Sequence, residues 1–204
     1  MTKQSLHQYI SEQELNALFA PTESAHGLPG RFYSSDDYWE FERESLFARR
    51  WVACAFESDV PNPGDAKPIT LAGWELIVAR NQRDEVNVFH NICAHRGMRI
   101  LDTPCHGEKS LRCPWHSWTY NLDGDLVATP NLGGMHINQA GGFDNALLGL
   151  RPARSESWLN FVFINIDGGA PPLQEFLAPV HQRLSDYDLG ALRLSEQRSE
   201  VPLE

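Results

Sequence analysis

The chain has 204 residues, 42% hydrophobic and 22% charged, with a formal net charge of −10 and a pI near 5.2. That is ample apolar material for a folded core, in one large domain or a domain with an appendage. No Lys/Arg cluster offsets the acidic balance, so nucleic acid is excluded as an expected partner, because backbone binding needs a basic footprint. The N-terminal stretch lacks an apolar signal core and a twin arginine, and the longest apolar runs, such as 161–166, are too short to span a bilayer. No membrane association is therefore expected. Few cysteines fit a reducing cytoplasm better than a disulfide scaffold.

In chain order, Ser11 with Glu14 reads as a capping box that opens a short helix through Leu15, Leu18 and Phe19, ended by Pro21 and the glycines at 27–30. A second helix is capped by Ser34 or Ser35. It carries Asp36 and Asp37 at its start, Tyr38, Phe41 and Phe47 as its stripe, and Arg49 and Arg50 in its last turn. Both helices read as packing elements, with a contact surface between subunits as the alternative. At Trp51 the period changes. Residues 51–58, 66–71, 75–80 and 86–91 read as short strands, divided by the Pro61–Gly64 turn, by Gly73 and by the polar 81–85 turn. Residues 117–121 and 126–128 form a hairpin signal around Asp123-Gly124. The Gly- and Asn-rich stretch 129–149 reads as a surface loop open to a partner. Strands return at 150–158 and 161–166, a helix entered through Pro171-Pro172 runs towards Tyr187, and 191–204 reads as a polar, strand-like tail. The fold class is mainly antiparallel β with N-terminal helices.

Two short Cys–His steps stand out, Cys93-Ala94-His95 and Cys113-Pro114-Trp115-His116, with 17 residues between His95 and Cys113. Two thiolates and two imidazoles make a ligand set that suits zinc or an iron–sulfur centre. A Rieske [2Fe–2S] cluster is the iron–sulfur case with this inventory, because two His replace two Cys on one iron. Each step lets one loop supply a ligand to each iron. By ligand type alone zinc stays open. His90 and His95 also share an H-x₄-H spacing, but His95 already belongs to the set. His7, His26, His106, His136 and His181 show no paired spacing and read as exposed or satisfied. Cys54, in an apolar run, reads as core, and Cys105 lies in a Gly/Pro-flanked loop.

The segment CAHRG followed by CPWHSW resembles the oxygenase-type motif, C-x-H-R-G…C-P-(Y/W)-H-x-W, of the Rieske non-haem iron oxygenases, the family of ring-hydroxylating dioxygenase α subunits and related monooxygenases. The resemblance extends over nearly the whole chain, including GRFYSS and PLQEFL. It implies a Rieske fold with a cluster-binding double-loop subdomain, Cys93 and Cys113 on one iron, and His95 and His116 on the other. Respiratory Rieske proteins carry an extra Cys in each loop that pair as a disulfide. Met98 and Trp118 stand in those neighbourhoods here, which favours the oxygenase class. Arg96 and Gly97 are expected to turn backbone N–H groups towards the cluster sulfurs, and Trp115 and Trp118 to shield the cluster from water.

The same resemblance implies electron transfer from a flavin/iron–sulfur reductase or ferredoxin to a mononuclear Fe(II), in an oxidoreductase using O₂ and NAD(P)H-derived electrons. It also implies a homotrimer in which His95 or His116 faces a neighbouring subunit's iron. No catalytic residues are assigned, because the 2-His-1-carboxylate triad is not in this chain. The mononuclear iron is expected only in a catalytic domain absent from it, the chain being either part of a longer subunit or one whose catalytic half resides elsewhere. The expected organisation is a helical segment at 1–50, a Rieske domain at 51–190 with ligand loops 93–97 and 113–118, and a linker from 191. Segments such as FHNICAHRG are similar to the choline, glycine-betaine and carnitine monooxygenase branch and to aromatic-acid hydroxylases, which leaves the substrate open. The rival function is a stand-alone Rieske ferredoxin.

Overall fold

A computed structural model of the chain describes residues 6–191. Nine strands are formed among these: β1 Val52–Phe56, β2 Ala66–Leu71, β3 Trp74–Arg80, β4 Val86–His90, β5 Ser110–Arg112, β6 Thr119–Asn121, β7 Leu126–Ala128, β8 Pro152–Trp158 and β9 Phe161–Asn165. They make a six-stranded sheet in the order β1-β9-β8-β4-β3-β2 and a three-stranded sheet β5-β6-β7. Every pairing is antiparallel, as the hairpin signals anticipate. The end strands β1 and β2 also approach each other, so the larger sheet curls towards closure.

Strand β3 shows how the site is positioned. Its residues from 76 to 80 are all buried, although a strand alternates faces. Leu76 and Val78 pack with Val60, Val88, Val162 and Ile164 on one side. Ile77 and Ala79 pack on the other with Phe89 of β4 and with Leu111, Leu122 and Leu126 from the region of the smaller sheet. The smaller sheet and its loops thus lie across one face of the larger one. Each fully buried aliphatic side chain contributes about 1.5–3 kcal/mol relative to leaving it in water. Three further links tie the two sheets. Ala66 and Cys105 exchange backbone hydrogen bonds of 3.0 and 2.9 Å. Gly124, at φ +93°, lies so close to Phe89 that an added Cβ would stand 2.6 Å from the ring. The buried Asp65 carboxylate accepts from the backbone N–H groups of Asn62 and Gly107 and contacts His106 Nδ1 at 3.1 Å.

Helix α1, Glu12–Leu18, opens with the expected capping box at Ser11 and Glu14. Helix α2 is capped by Ser35 but is α-helical only over Asp36–Glu42. A π turn follows at Arg43–Phe47, with the Ala48 N–H donating to Arg43 O, so Arg49 and Arg50 fall beyond the helix and not in its last turn. Ser45 Oγ donates to Phe41 O at 2.6 Å, a side-chain bond that competes with the helical ladder. Helix α3, Leu173–Leu184, ends before Tyr187. Its Leu173 and Leu177 pack on Trp51. The tail expected from 191 lies outside the described residues beyond Ala191.

Candidate metal centre

Strand β4 ends at His90 and leads into the first ligand loop. Asn91, buried, ties that loop shut: its Oδ1 accepts from the N–H groups of Ile100 and Leu101 at 2.9 and 3.0 Å, and its Nδ2 donates to Leu101 O at 2.6 Å. Inside the loop, the Cys93 N–H donates to Met98 O at 2.8 Å and the Gly97 N–H to Cys93 O at 2.9 Å. The second loop, between β5 and β6, repeats the pattern. The Cys113 N–H donates to Trp118 O at 2.8 Å and the Ser117 N–H to Cys113 O at 3.0 Å. Gly97 at φ +72° and Ser117 at φ +59° occupy equivalent left-handed positions. Ser117 is therefore part of the loop, and the strand read from it begins at Thr119.

The two loops bring the ligand candidates together. Cys93 and Cys113 are each only 2% exposed and interact with one another. The rings of His95 and His116 are half-buried, 4.7 Å apart between centroids and inclined at 74°. Trp118, 4% exposed, stacks on His95 at 4.6 Å with the planes 10° apart, and Phe143 meets Trp118 edge-on at 5.7 Å. Trp115 behaves otherwise. It is 56% exposed and tilted against His116, with the Arg96 guanidinium 6.0 Å over its ring, so of the two tryptophans expected to shield a cluster only Trp118 is buried. In the turn that carries Arg96 and Gly97, the Gly97 N–H is committed to Cys93 O, and the His95 N–H reaches the Cys93 sulfur.

Sequence reasoning missed Tyr120. This fully buried residue accepts the Ala94 N–H on its hydroxyl at 3.2 Å, and the same oxygen lies 3.2 Å from Cys93 Sγ. With its lone pair facing Ala94, the hydroxyl proton is free to point at the sulfur. The available signal was a tyrosine on an inward position of a strand leaving a ligand loop, whose buried O–H requires a partner. Burial and the neighbouring Cys93 push the Tyr120 pKa up. Burial likewise pushes the Cys93 thiol up, against the lowering pull of the Tyr120 hydroxyl. The His95 imidazole is lowered by burial and by the adjacent His116 and Arg96.

His95 Nδ1 is buried without a hydrogen-bond partner among the described residues, as a nitrogen reserved for a metal would be. No three His, Cys, Asp or Glu side chains among the described residues are gathered closely enough to hold a single metal ion. A mononuclear tetrahedral zinc site asks for four convergent donors. A binuclear cluster asks for less convergence, two thiolates on one iron and two imidazoles on the other, and this donor set fits it. His90 Nε2 is also buried and unpartnered, while His7, His26, His136 and His181 are exposed, and His106 is exposed but bonded to Asp65.

The profile of the Rieske [2Fe-2S] domain matches residues 50–139, which include both loops. This chain carries a Rieske [2Fe–2S] domain. Among curated relatives, the carnitine monooxygenase oxygenase subunit of Escherichia coli strain K12 is 30% identical over 158 residues, covering 78% of this chain and 41% of its own. The 2-aminobenzenesulfonate 2,3-dioxygenase subunit alpha of Alcaligenes sp. is 32% identical over 172 residues, covering 84% of this chain and 43% of its own. A solved structure of a quaternary ammonium Rieske monooxygenase, described as giving insights into carnitine oxidation by gut microbiota and inter-subunit electron transfer, superposes with a TM-score of 0.70 at 30% identity, covering 79% of this chain and 43% of that one. The Rieske domain here is thus homologous to those of monooxygenase and dioxygenase oxygenase subunits, and its cofactor is a [2Fe–2S] cluster. The chain spans less than half the length of these relatives. No helix among the described residues is long and apolar enough to cross a membrane.

Proposed function

We propose that the Rieske domain holds its cluster through Cys93 and Cys113 on one iron and His95 and His116 on the other, and that it delivers electrons within an oxygenase. The observation that carries this reading is the pair of equivalent loops, which bring two buried thiols and two facing imidazoles together. The cluster, when bound, supplies one-electron redox chemistry. The chain's residues do the rest. Cys93 and Cys113 set the sulfur side against the core, where burial favours the protonated Cys93 thiol until metal binding removes its proton. Tyr120 donates to the Cys93 sulfur. Trp118 keeps water from His95. The half-buried imidazole edges form the accessible side, so electrons enter and leave there.

By homology the donor is a reductase or ferredoxin, and the acceptor is a mononuclear non-haem iron in a catalytic domain, shared across a homotrimer as the resemblance implies. The carnitine-type relatives support a small quaternary ammonium substrate, and the dioxygenase relative keeps ring hydroxylation as the alternative. Residues 51–190 form the electron-transfer unit and 1–50 a packing segment. The free cysteines suit a cytoplasmic setting.

The reconstituted chain is expected to be red-brown, with two iron and two sulfide per chain and a reduced EPR signal of average g below the free-electron value. His116→Cys retains a cluster at lower potential, because a second thiolate on that iron adds negative charge. A colourless protein holding one zinc and no sulfide would overturn the assignment, and an unchanged potential in His116→Cys would remove His116 from the ligand set.

A further inference from the structure

The 129–149 loop, expected from sequence as a surface loop open to a partner, is largely exposed, but three of its side chains form part of the wall of the cluster site. At one end Thr129, buried, donates through Oγ1 to Asn138 O at 2.8 Å, and Asn138 Oδ1 accepts the Asn131 N–H at 3.1 Å. At the other end the Leu150 N–H donates to Gly124 O at 2.7 Å, and Gly149 passes so close that an added Cβ would stand 2.8 Å from the same oxygen. Between these anchors Asp144 caps a short turn by accepting the Ala146 N–H at 3.0 Å. Leu132, Phe143 and Leu148 pack onto the cluster of buried residues that contains Cys93, Cys113 and Trp118.

Metal-bound histidines are usually oriented by a hydrogen bond from the ring nitrogen that does not bind metal. Among the described residues no hydrogen bond holds the His95 ring: Nδ1, the nitrogen left for a metal, is buried and unpartnered, and no bond reaches Nε2. Its orientation rests on the parallel stack of Trp118, and the tilt of Trp118 rests in turn on the edge of Phe143, 84° to its plane. We infer that Phe143 is a positioning residue of the redox centre, acting on His95 through Trp118, and that the 129–149 loop is the element that delivers it. The inference rests on the assignment of His95 as a ligand.

An aromatic pair of this kind is worth about 0.5–1.5 kcal/mol, or about a 2- to 13-fold bias towards the stacked Trp118 rotamer. The test uses the cluster-loaded chain and reads the line shape of the reduced EPR signal, the midpoint potential and the rate of bleaching in air. Phe143→Tyr keeps all three. Phe143→Ala broadens the EPR features, shifts the potential and bleaches about 2- to 13-fold faster. Phe143→Leu does the same and keeps the apolar volume should the alanine variant not fold. In a Trp118→Ala background, Phe143→Ala adds nothing further, because the two residues act in series. A Phe143→Ala or Phe143→Leu chain that loses only thermal stability, with unchanged EPR and potential, overturns the inference, as does full additivity with Trp118→Ala. A wild-type chain without a Rieske signal would instead sink the ligand assignment itself.

Discussion

Tyr120 is the side chain with most leverage on the charge of the centre. Its hydroxyl is fixed by the Ala94 N–H and lies within hydrogen-bonding distance of Cys93 Sγ. Reduction adds negative charge to the sulfurs, so a hydroxyl donor is bonded more strongly in the reduced state and raises the potential. If that differential is about 1 kcal/mol, the effect is roughly 40 mV for one electron. Tyr120→Phe is expected to lower the midpoint potential by several tens of millivolts while leaving iron content intact. Potentiometric titration checks this, and equal potentials in the two proteins would show that the hydroxyl proton points elsewhere. The four ligand candidates were legible in the sequence because ligand chemistry is a property of residue type and short spacing. Tyr120 was not, since its role depends on which loop its strand folds beneath.

At the scale of elements, the two ligand loops are one backbone design used twice with different residues at the left-handed position. Gly97 adopts φ +72° without a Cβ, whereas Ser117 carries one at φ +59°. A left-handed residue with a Cβ costs roughly 1–2 kcal/mol. Gly97→Ala is therefore expected to destabilise the chain by about 1 kcal/mol, and Ser117→Gly to be neutral or slightly stabilising. Denaturant midpoints of the two variants check this, and the opposite order would contradict the equivalence of the loops. The sequence showed the helices through their caps, Ser11 and Ser35, because a cap is a local arrangement of neighbouring residues. It did not show the π turn after Glu42, where Ser45 bonds back to Phe41. Nor did it show β5, only three residues long with no alternation to read, which exists because it pairs with β6.

For the whole molecule, the junction between the two sheets depends on Asp65. Burial raises its pKa, but hydrogen bonds from Asn62, His106 and Gly107 outweigh that and leave it lowered. A carboxylate held below its unfolded value, about 3.9, stabilises the fold above that pH, and the contribution is lost as pH falls through the depressed folded value. Acid unfolding of the wild type should therefore steepen below about pH 4, and Asp65→Asn should flatten that part of the profile. At neutral pH Asp65→Asn costs about 1–2 kcal/mol, kept small because His106 is solvent-exposed and its contact with the carboxylate is screened. Stability measured by urea titration across pH checks this, and parallel profiles for the two proteins would remove Asp65 from the junction.

The sequence by itself determined the ligand chemistry, the antiparallel β class, the helix caps and the turns, all of which depend on residues close in the chain. Tertiary structure decided the sheet order that places β8 and β9 between β1 and β4, the hydroxyl beneath Cys93, and the burial of Trp118 but not of Trp115. It also set Phe143, in the largely exposed 129–149 loop, against Trp118. Those features arise from packing between residues far apart in the chain. Which side chain meets which is settled only when the two sheets bury their apolar faces together.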